Sequence, residues 1–278
     1  MTLSIITINR NNASGLEKTM KSVLSQTCQE FEYVVVDGAS TDSSVEVIKD
    51  LASSFGDRLK WISEPDKGIY NAMNKGMGIA TGEYLQILNS GDSLASEDVV
   101  ERMYKALEEK DFPSILYGNM LKDMPDGRML RDRSFAGKPV TLKSVLHGSL
   151  NHSPAYIARS LFEKYGDYDE ALKIVSDWKW YLQAIILGEE NPVYADIDVT
   201  VFDMAGISET NLSLREKELR DELSKAIPAG ILADYEKWES DIDIMERIHR
   251  YPLVYKLVHF VERAVFKLEK RKLREYVD

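Results

Sequence analysis

The chain has one cysteine, Cys28, in 278 residues, so no internal disulfide forms and a reducing compartment suits it, most simply the cytoplasm. No cysteine–histidine spacing suggests zinc. Basic residues are outnumbered 46 to 35, and the net charge of −11 opposes a broad attraction to nucleic acid. Nowhere do about 18 apolar residues follow one another, so no transmembrane helix is expected. Met1-Thr2-Leu3-Ser4-Ile5-Ile6-Thr7-Ile8 lacks a basic flank and a long apolar stretch, and reads as a strand, not a signal peptide. Internal repeats and low-complexity segments are missing. So are the Gly-x-x-x-x-Gly-Lys-Ser/Thr loop and a Gly-x-Gly-x-x-Gly after the first strand, which removes the main support for ordinary triphosphate or dinucleotide binding.

What is present suits a globular protein: 44% of residues are hydrophobic and 29% charged, enough for one large domain or a domain with an appendage. Leu3–Ile8, Glu32–Val36, Leu59–Ser63 and Glu83–Leu88 read as strands. Helices are expected between them, over Gly15–Ser25, Ser43–Phe55 and Ile69–Ala80. Strands alternating with helices across short connections predict an α/β fold with a parallel sheet covered on both faces. The unbroken apolar Val34-Val35-Val36 suits a strand buried on both sides. Further on, a helix is expected over Ser96–Lys110, a strand over Ile115–Met124 and irregular chain to about Ser149. Helices over Ser160–Tyr165 and Trp178–Leu187, and a strand over Val193–Phe202, follow. Beyond Thr210 the chain becomes a charged helical run.

Three strands end in polar clusters: Thr7-Ile8-Asn9-Arg10, Asp37-Gly38-Ala39-Ser40 and Asn89-Ser90-Gly91-Asp92. Ligands of open parallel sheets bind outside the carboxyl ends of the strands, so these clusters are expected to share a crevice. A carboxylate there, such as Asp92, can hold a hard divalent cation while a nucleoside diphosphate supplies further oxygens. Asp92 and Asp37 also suit ordinary turns and helix caps, and either alone decides nothing.

Order and spacing add more. Ser22–Thr27 (Ser-x-x-x-Gln-Thr), Asp37–Asp42 (Asp-Gly-x-Ser-x-Asp), Lys67–Gly76 and the strand ending at Asn89–Asp92 together resemble the family-2 glycosyltransferases of GT-A fold. The match is dense over about residues 2–95 and sparser to about 210. It implies a Rossmann-like, mostly parallel central sheet flanked by helices. It also implies a glycosyltransferase domain over 1–210, with a nucleotide-sugar half to 95 and an acceptor half from 96, and a helical extension over 211–278. By position, Thr7, Asn9 and Arg10 would lie beside the nucleotide base, Asp37 would bind base or ribose, and Asp66 and Lys67 would line the same pocket. Asp92 would hold Mn2+ or Mg2+ on the diphosphate. The family commonly has Asp-x-Asp-Asp where this chain has Asn89-Ser90-Gly91-Asp92, so one carboxylate remains; Asn89 can reach a ribose hydroxyl, and Gly91 offers only its backbone. Arg10 stands where an aromatic residue is frequent.

In the second half, Ser176-Asp177-Trp178-Lys179-Trp180 resembles the segment in which an acidic residue opens a helix, which makes Asp177 the general base. Without the resemblance, a helix-opening Asp is equally a partner of the macrodipole. Trp178 and Trp180 offer an acceptor platform, with core packing the alternative for one of them. His152 falls where the family has a His-Gln pair and would line the donor or acceptor pocket, or serve as a structural histidine. Val201–Ser208 resembles a late loop that closes over the diphosphate, with Asp203 where a basic or histidine residue would help the phosphates.

The resemblance thus implies an inverting transfer from a nucleoside diphosphate sugar, UDP by preference, to a hydroxyl of a glycan or lipid-linked acceptor in bacterial cell-envelope polysaccharide biosynthesis. A metal-dependent nucleotidyltransferase and a non-catalytic nucleotide- or glycan-binding homologue are the alternatives. Residues 252–278 carry seven Lys/Arg against four Asp/Glu and an apolar stripe including Leu253, Leu257, Phe260 and Val261. That segment is read either as a peripheral contact with the inner face of the membrane or as a helix packed on its own domain or a second subunit.

Overall fold

Seven buried residues in a row are unusual for a strand unless both its faces are covered, and β1 (Leu3–Asn9) sits in that setting beside β2 (Phe31–Asp37). The computed structural model describes residues 2–124, 126–204 and 211–275. β3 (Leu59–Ser63), β2, β1 and β4 (Tyr84–Ile87) lie side by side, all parallel. Ile6, Ile8, Val34 and Val36 pack on one face under Met73 and Met77 of α3 (Ile69–Ile79). Leu3, Ile5, Tyr33 and Val35 pack on the other, against α1 (Ala13–Leu24), α2 (Ser44–Phe55) and α4 (Val99–Glu109). Each fully buried Val, Ile or Leu contributes about 1.5–3 kcal/mol, so these two layers dominate the stability of the first half.

The second half extends the sheet with antiparallel pairs. β8 (Ala155–Ala158) lies antiparallel between β4 and β6 (Ile115–Asp123). β9 (Val193–Phe202) runs parallel to β6, and the short β5 (Ser93–Leu94) and β7 (Met129–Asp132) add at the edges. The result is a mostly parallel central sheet flanked by helices, as expected. β5, β7, β8 and α5 (Leu142–His147) are additions to the elements expected from sequence. α6 spans Arg159–Tyr165. The helix expected over Trp178–Leu187 begins earlier, as α7 (Ser176–Tyr181), and continues as a π-helical turn over Leu182–Leu187.

The chain divides into two compact units, one ending at Leu219 and the other starting at Arg220, and the boundary falls within α8 (Leu212–Ala226). The second unit contains α9 (Ala229–His249) and α10 (Pro252–Glu275), where His249, Tyr255 and His259 pack ring on ring. Along α10, Leu253 is 82% and Phe260 71% exposed. Residues 276–278 of the expected terminal helix lie outside the described residues. No described helix is long and apolar enough to cross a membrane.

Candidate active site

Register brings the first two strand ends together: Asn9 pairs with Asp37, and Asp37 with Ser63. One Asp37 oxygen accepts from the Asn9 amide at 2.9 Å and the Ser40 hydroxyl at 2.5 Å. The other accepts from Ser63 Oγ at 2.6 Å and the Ser40 N–H at 3.0 Å. Burial pushes this carboxyl up, and those four donors more than reverse it, so its pKa is lowered. With four donors on two oxygens Asp37 is filled, and a base or ribose contact has to replace one of them. Asn9 Oδ1, by contrast, is buried without a partner. A side chain at Gly38 would run into the Asp66 carboxylate, which stands 3.8 Å from the Arg10 guanidinium. Lys67 follows and uses its N–H on Asn71. Thr7 is elsewhere: fully buried, it accepts a hydrogen bond from Tyr33 inside the α1–α2 layer. It lies inside the sheet, two residues before Asn9, which ends β1, and not at the strand tip with Asn9 and Arg10, where the expectation put it.

The Asn89–Asp92 turn is tied to α1. Asn12 Nδ2 donates to the Ser90 carbonyl at 3.2 Å, Lys18 Nζ to the Gly91 carbonyl at 3.0 Å and Thr19 Oγ1 to the Asp92 carbonyl at 2.6 Å. Thr19 Oγ1 also accepts from the Gly91 N–H at 3.0 Å. Both backbone groups of Gly91 thus have protein partners in the turn, its N–H on Thr19 and its carbonyl on Lys18. Its φ of +103° favours glycine, and a Cβ there would press on the Asp203 carboxylate 2.8 Å away.

Asp92 is 2% exposed. Its Oδ1 accepts from the Asp203 N–H at 2.9 Å, while Oδ2 is buried with no partner. Burial, only partly offset by the Asp203 N–H, raises its pKa to about 6. A carboxylate with an unfilled buried oxygen at a strand end fits a hard cation. Among the described residues no three His, Cys, Asp or Glu side chains gather into a metal cluster. The turn therefore offers a cation one protein carboxylate oxygen, Asp92 Oδ2.

Asp177, second residue of α7, lines a cavity of about 910 Å³ with Asn89, His152 and Trp178. Its Oδ2 lies 3.1 Å from His152 Nδ1, and its Oδ1 accepts from the Tyr70 hydroxyl at 3.0 Å. Tyr70 shares its single hydroxyl proton between Asp177 and the Ile174 carbonyl, which lies at 2.6 Å. On the far side of the imidazole, Nε2 faces the Asn89 amide at 3.4 Å. An unbroken row, Asn89–His152–Asp177–Tyr70, therefore runs from the end of β4 to the start of α3. Burial pushes Asp177 up, but the His152 hydrogen bond and charge, Tyr70 and the Trp178 N–H outweigh it, and the pKa falls. For His152, burial disfavours the imidazolium, and the carboxylates of Asp177 and Asp92 outweigh it, so that pKa rises. Asp177 is an ionised base candidate on the cavity wall.

Trp178 is 5% exposed, with its indole N–H donating to the Val145 carbonyl, and is among the residues lining the cavity. Trp180 is the one in the core, stacked on Phe162 at 4.6 Å. Asn12, Lys18, Thr19, Tyr70 and Glu218 join the site without a sequence motif that marks them. Glu218, on α8, accepts the N–H groups of Lys173, Ile174 and Val175 at 2.8, 2.9 and 3.3 Å, and so holds the segment leading into Asp177. Of the expected late loop, residues 205–208 lie outside the described residues.

Comparison with known proteins places this geometry. The family model "Glycosyl transferase family 2" matches residues 4–166. An uncharacterized glycosyltransferase of Mycobacterium tuberculosis is 34% identical over 209 residues, 74% of this chain and 76% of that one. The PGL/p-HBAD biosynthesis glycosyltransferase of Mycobacterium bovis is 29% identical over 235 residues, 82% and 86% of the two chains. Among solved structures, S. aureus TarS 1-349 in complex with UDP superposes with a TM-score of 0.61 at 20% identity, over 73% of this chain and 60% of that one. The mannosyltransferase PcManGT of Pyrobaculum calidifontis, in complex with GDP-Man and Mn2+, gives a TM-score of 0.61 at 18% identity, over 81% and 63%. This chain thus spans under two thirds of either solved neighbour, and those likenesses speak for the fold.

Proposed function

The chain belongs to glycosyl transferase family 2, and from that premise we propose that it transfers a sugar, with inversion, from a nucleoside diphosphate to a hydroxyl of a glycan or lipid-linked acceptor. Asp177 takes the acceptor proton. As it does so, the acceptor oxygen bonds to the anomeric carbon, and the bond to the diphosphate breaks with its electron pair leaving on phosphate oxygen. The observation that carries this reading is the clamped, ionised Asp177 on the wall of a cavity that also reaches Asn89 at the end of β4. His152 and Tyr70 orient the carboxylate, so that its proton-accepting oxygen does not swing away between turnovers.

The donor lies across the strand ends, with Asn9, Arg10, Asp66 and Lys67 around the base and ribose, Asn89 at a ribose hydroxyl, and Asp37 shaping the loop they share. Asp92 Oδ2 would hold Mn2+ or Mg2+, which when bound neutralises charge on the departing diphosphate, an effect worth several kcal/mol. UDP is the preferred nucleotide; the UDP complex of TarS supports it, and the GDP-Man and Mn2+ complex of the mannosyltransferase supports the cation. Trp178 and His152 face the acceptor. The glycolipid-assembly name of the Mycobacterium bovis relative supports a lipid-linked acceptor in envelope biosynthesis, and the exposed apolar stripe of α10 supports work at the inner membrane face.

A thermal-shift screen of nucleotide sugars with and without manganese tests the donor: one nucleotide class is expected to raise Tm only with metal. Asp177→Asn is expected to collapse transfer while keeping that shift. Turnover that survives the substitution undiminished removes the base assignment. Release of pyrophosphate from a nucleoside triphosphate would instead identify a nucleotidyltransferase.

A further inference from the structure

The cavity beside Asp177 is lined by Lys122, Lys173 and Arg215, by two histidines, His147 and His152, and by two carboxylates, Asp132 and Asp177. The carboxylates are occupied: Asp132 by Lys122 at 2.9 Å, and Asp177 by His152 and Tyr70. Lys173 and Arg215 are left with no anionic partner among the described residues, on the wall of one cavity in a chain of net charge −11. Lys173 is exposed and Arg215 half-buried, and the backbone that carries Lys173 is held in place. Glu218 fixes the backbone from Lys173 to Val175. Arg215 and Leu219, one helical turn apart on α8, reach the cavity from beside it. The Lys173 ammonium lies 3.8 Å from where a Gly68 side chain would begin, in front of α3.

We propose that Lys173 and Arg215 form an anion subsite on the acceptor side of Asp177, and that the acceptor carries a phosphate or carboxylate close to the hydroxyl that is glycosylated. This rests on Asp177 being the base. The donor diphosphate is the competing occupant, given how near Lys173 is to Gly68. The acceptor is favoured because Asp92, the only carboxylate of its turn, lies at the end of β4, whereas Lys173 and Arg215 come from the segment and helix that flank the base. A guanidinium and an ammonium on the wall of one cavity discriminate between an anionic ligand and its neutral analogue.

The test titrates glucose 1-phosphate, methyl glucuronide and methyl glucoside into the full-length protein saturated with UDP and Mn2+, followed by ligand-observed NMR. The two anions are expected to bind about tenfold or more tightly than the neutral sugar, as one or two charge-assisted hydrogen bonds imply. That preference is expected to fall to about twofold or less in Lys173→Gln/Arg215→Gln and to weaken as salt screens it. UDP affinity should stay unchanged, and so should Tm, since neither side chain has an anionic protein partner to lose. The proposal is overturned if wild type shows no anion preference, if the double variant keeps it, or if the double variant loses UDP affinity as Asp92→Asn does. Asp177→Asn run alongside separates the two readings: retained turnover there removes the base assignment, while the titration alone decides the anion preference.

Discussion

Replacing Asp92 by asparagine should make the metal-free protein gain stability relative to wild type as pH rises. The carboxyl is buried, one oxygen is satisfied by the Asp203 N–H and the other has no partner, which raises its pKa from the ordinary 3.8 to about 6. A folded-state pKa above the unfolded one means that the native protein binds the extra proton, so this stabilisation is present in acid and lost as pH rises toward and through about 6. Between roughly pH 5 and pH 8 the loss is on the order of 1 kcal/mol. The amide of the Asp92→Asn variant keeps an oxygen to accept from Asp203 and does not titrate. Whatever fixed amount the substitution adds or removes, variant stability minus wild-type stability should rise by about 1 kcal/mol over this range, or roughly 2–4 °C in Tm for a unit of this size. Urea melts in EDTA at intervals across that pH range measure it. A gap that stays flat refutes the reasoning, since it would mean that the carboxylate is hydrated or paired and has no stored demand for a cation. In wild type at the alkaline end, manganese with UDP should recover the loss; in the variant it should recover nothing.

Other outcomes follow from the same geometry. Asp177→Asn should lower kcat by roughly 10²–10⁴, the usual contribution of a general base, with UDP affinity nearly unchanged by calorimetry. His152→Ala removes the hydrogen bond and charge that offset burial at Asp177, so the acid limb of the pH–rate profile should move to higher pH; a limb that stays put would make His152 a bystander. Glu218→Ala strands three backbone N–H groups and should destabilise by about 3 kcal/mol while lowering kcat more than it raises the donor KM; Glu218→Gln, keeping an acceptor, should recover part of both. Pelleting with anionic vesicles should fall to background for Leu253→Asp/Phe260→Asp and persist with neutral substitutions elsewhere on α10 if that helix meets a membrane.

The donor half is legible because its information is local. A buried parallel strand writes itself as an unbroken apolar run, its end as a polar cluster, and the helix that follows as a stripe; β1 to β4 and α1 to α3 each fit inside a short window. Helix α7 is legible for type and misplaced at its start, because Val175 carries no capping side-chain bond that announces a boundary. β8 escapes for a different reason. Four residues, Ala155–Ala158, are too few for a period, and what makes them a strand is the open edges of β4 and β6, distant in sequence. Thr7 shows the converse error: a polar residue near a strand end is counted with the end unless the partner that buries it, here Tyr33, is known.

The same distinction governs the site. Asp92, Asn89, His152 and Asp177 can be named from sequence by position, but what each can do depends on contacts that no window contains. Asp37 and Asp92 are both carboxylates at the ends of buried parallel strands. Asp37 is saturated by Ser40, Ser63 and Asn9, residues its own loop and the neighbouring strands supply, and its pKa is lowered. Asp92 receives one donor from Asp203, more than a hundred positions away, and its pKa is raised. Asp37 is filled by protein partners, whereas Asp92 keeps an oxygen that no protein group fills. Counting donors on each oxygen therefore separates the two where motif spacing does not, and it favours the Asn89–Asp92 turn, despite its single carboxylate, as the metal end of the cleft.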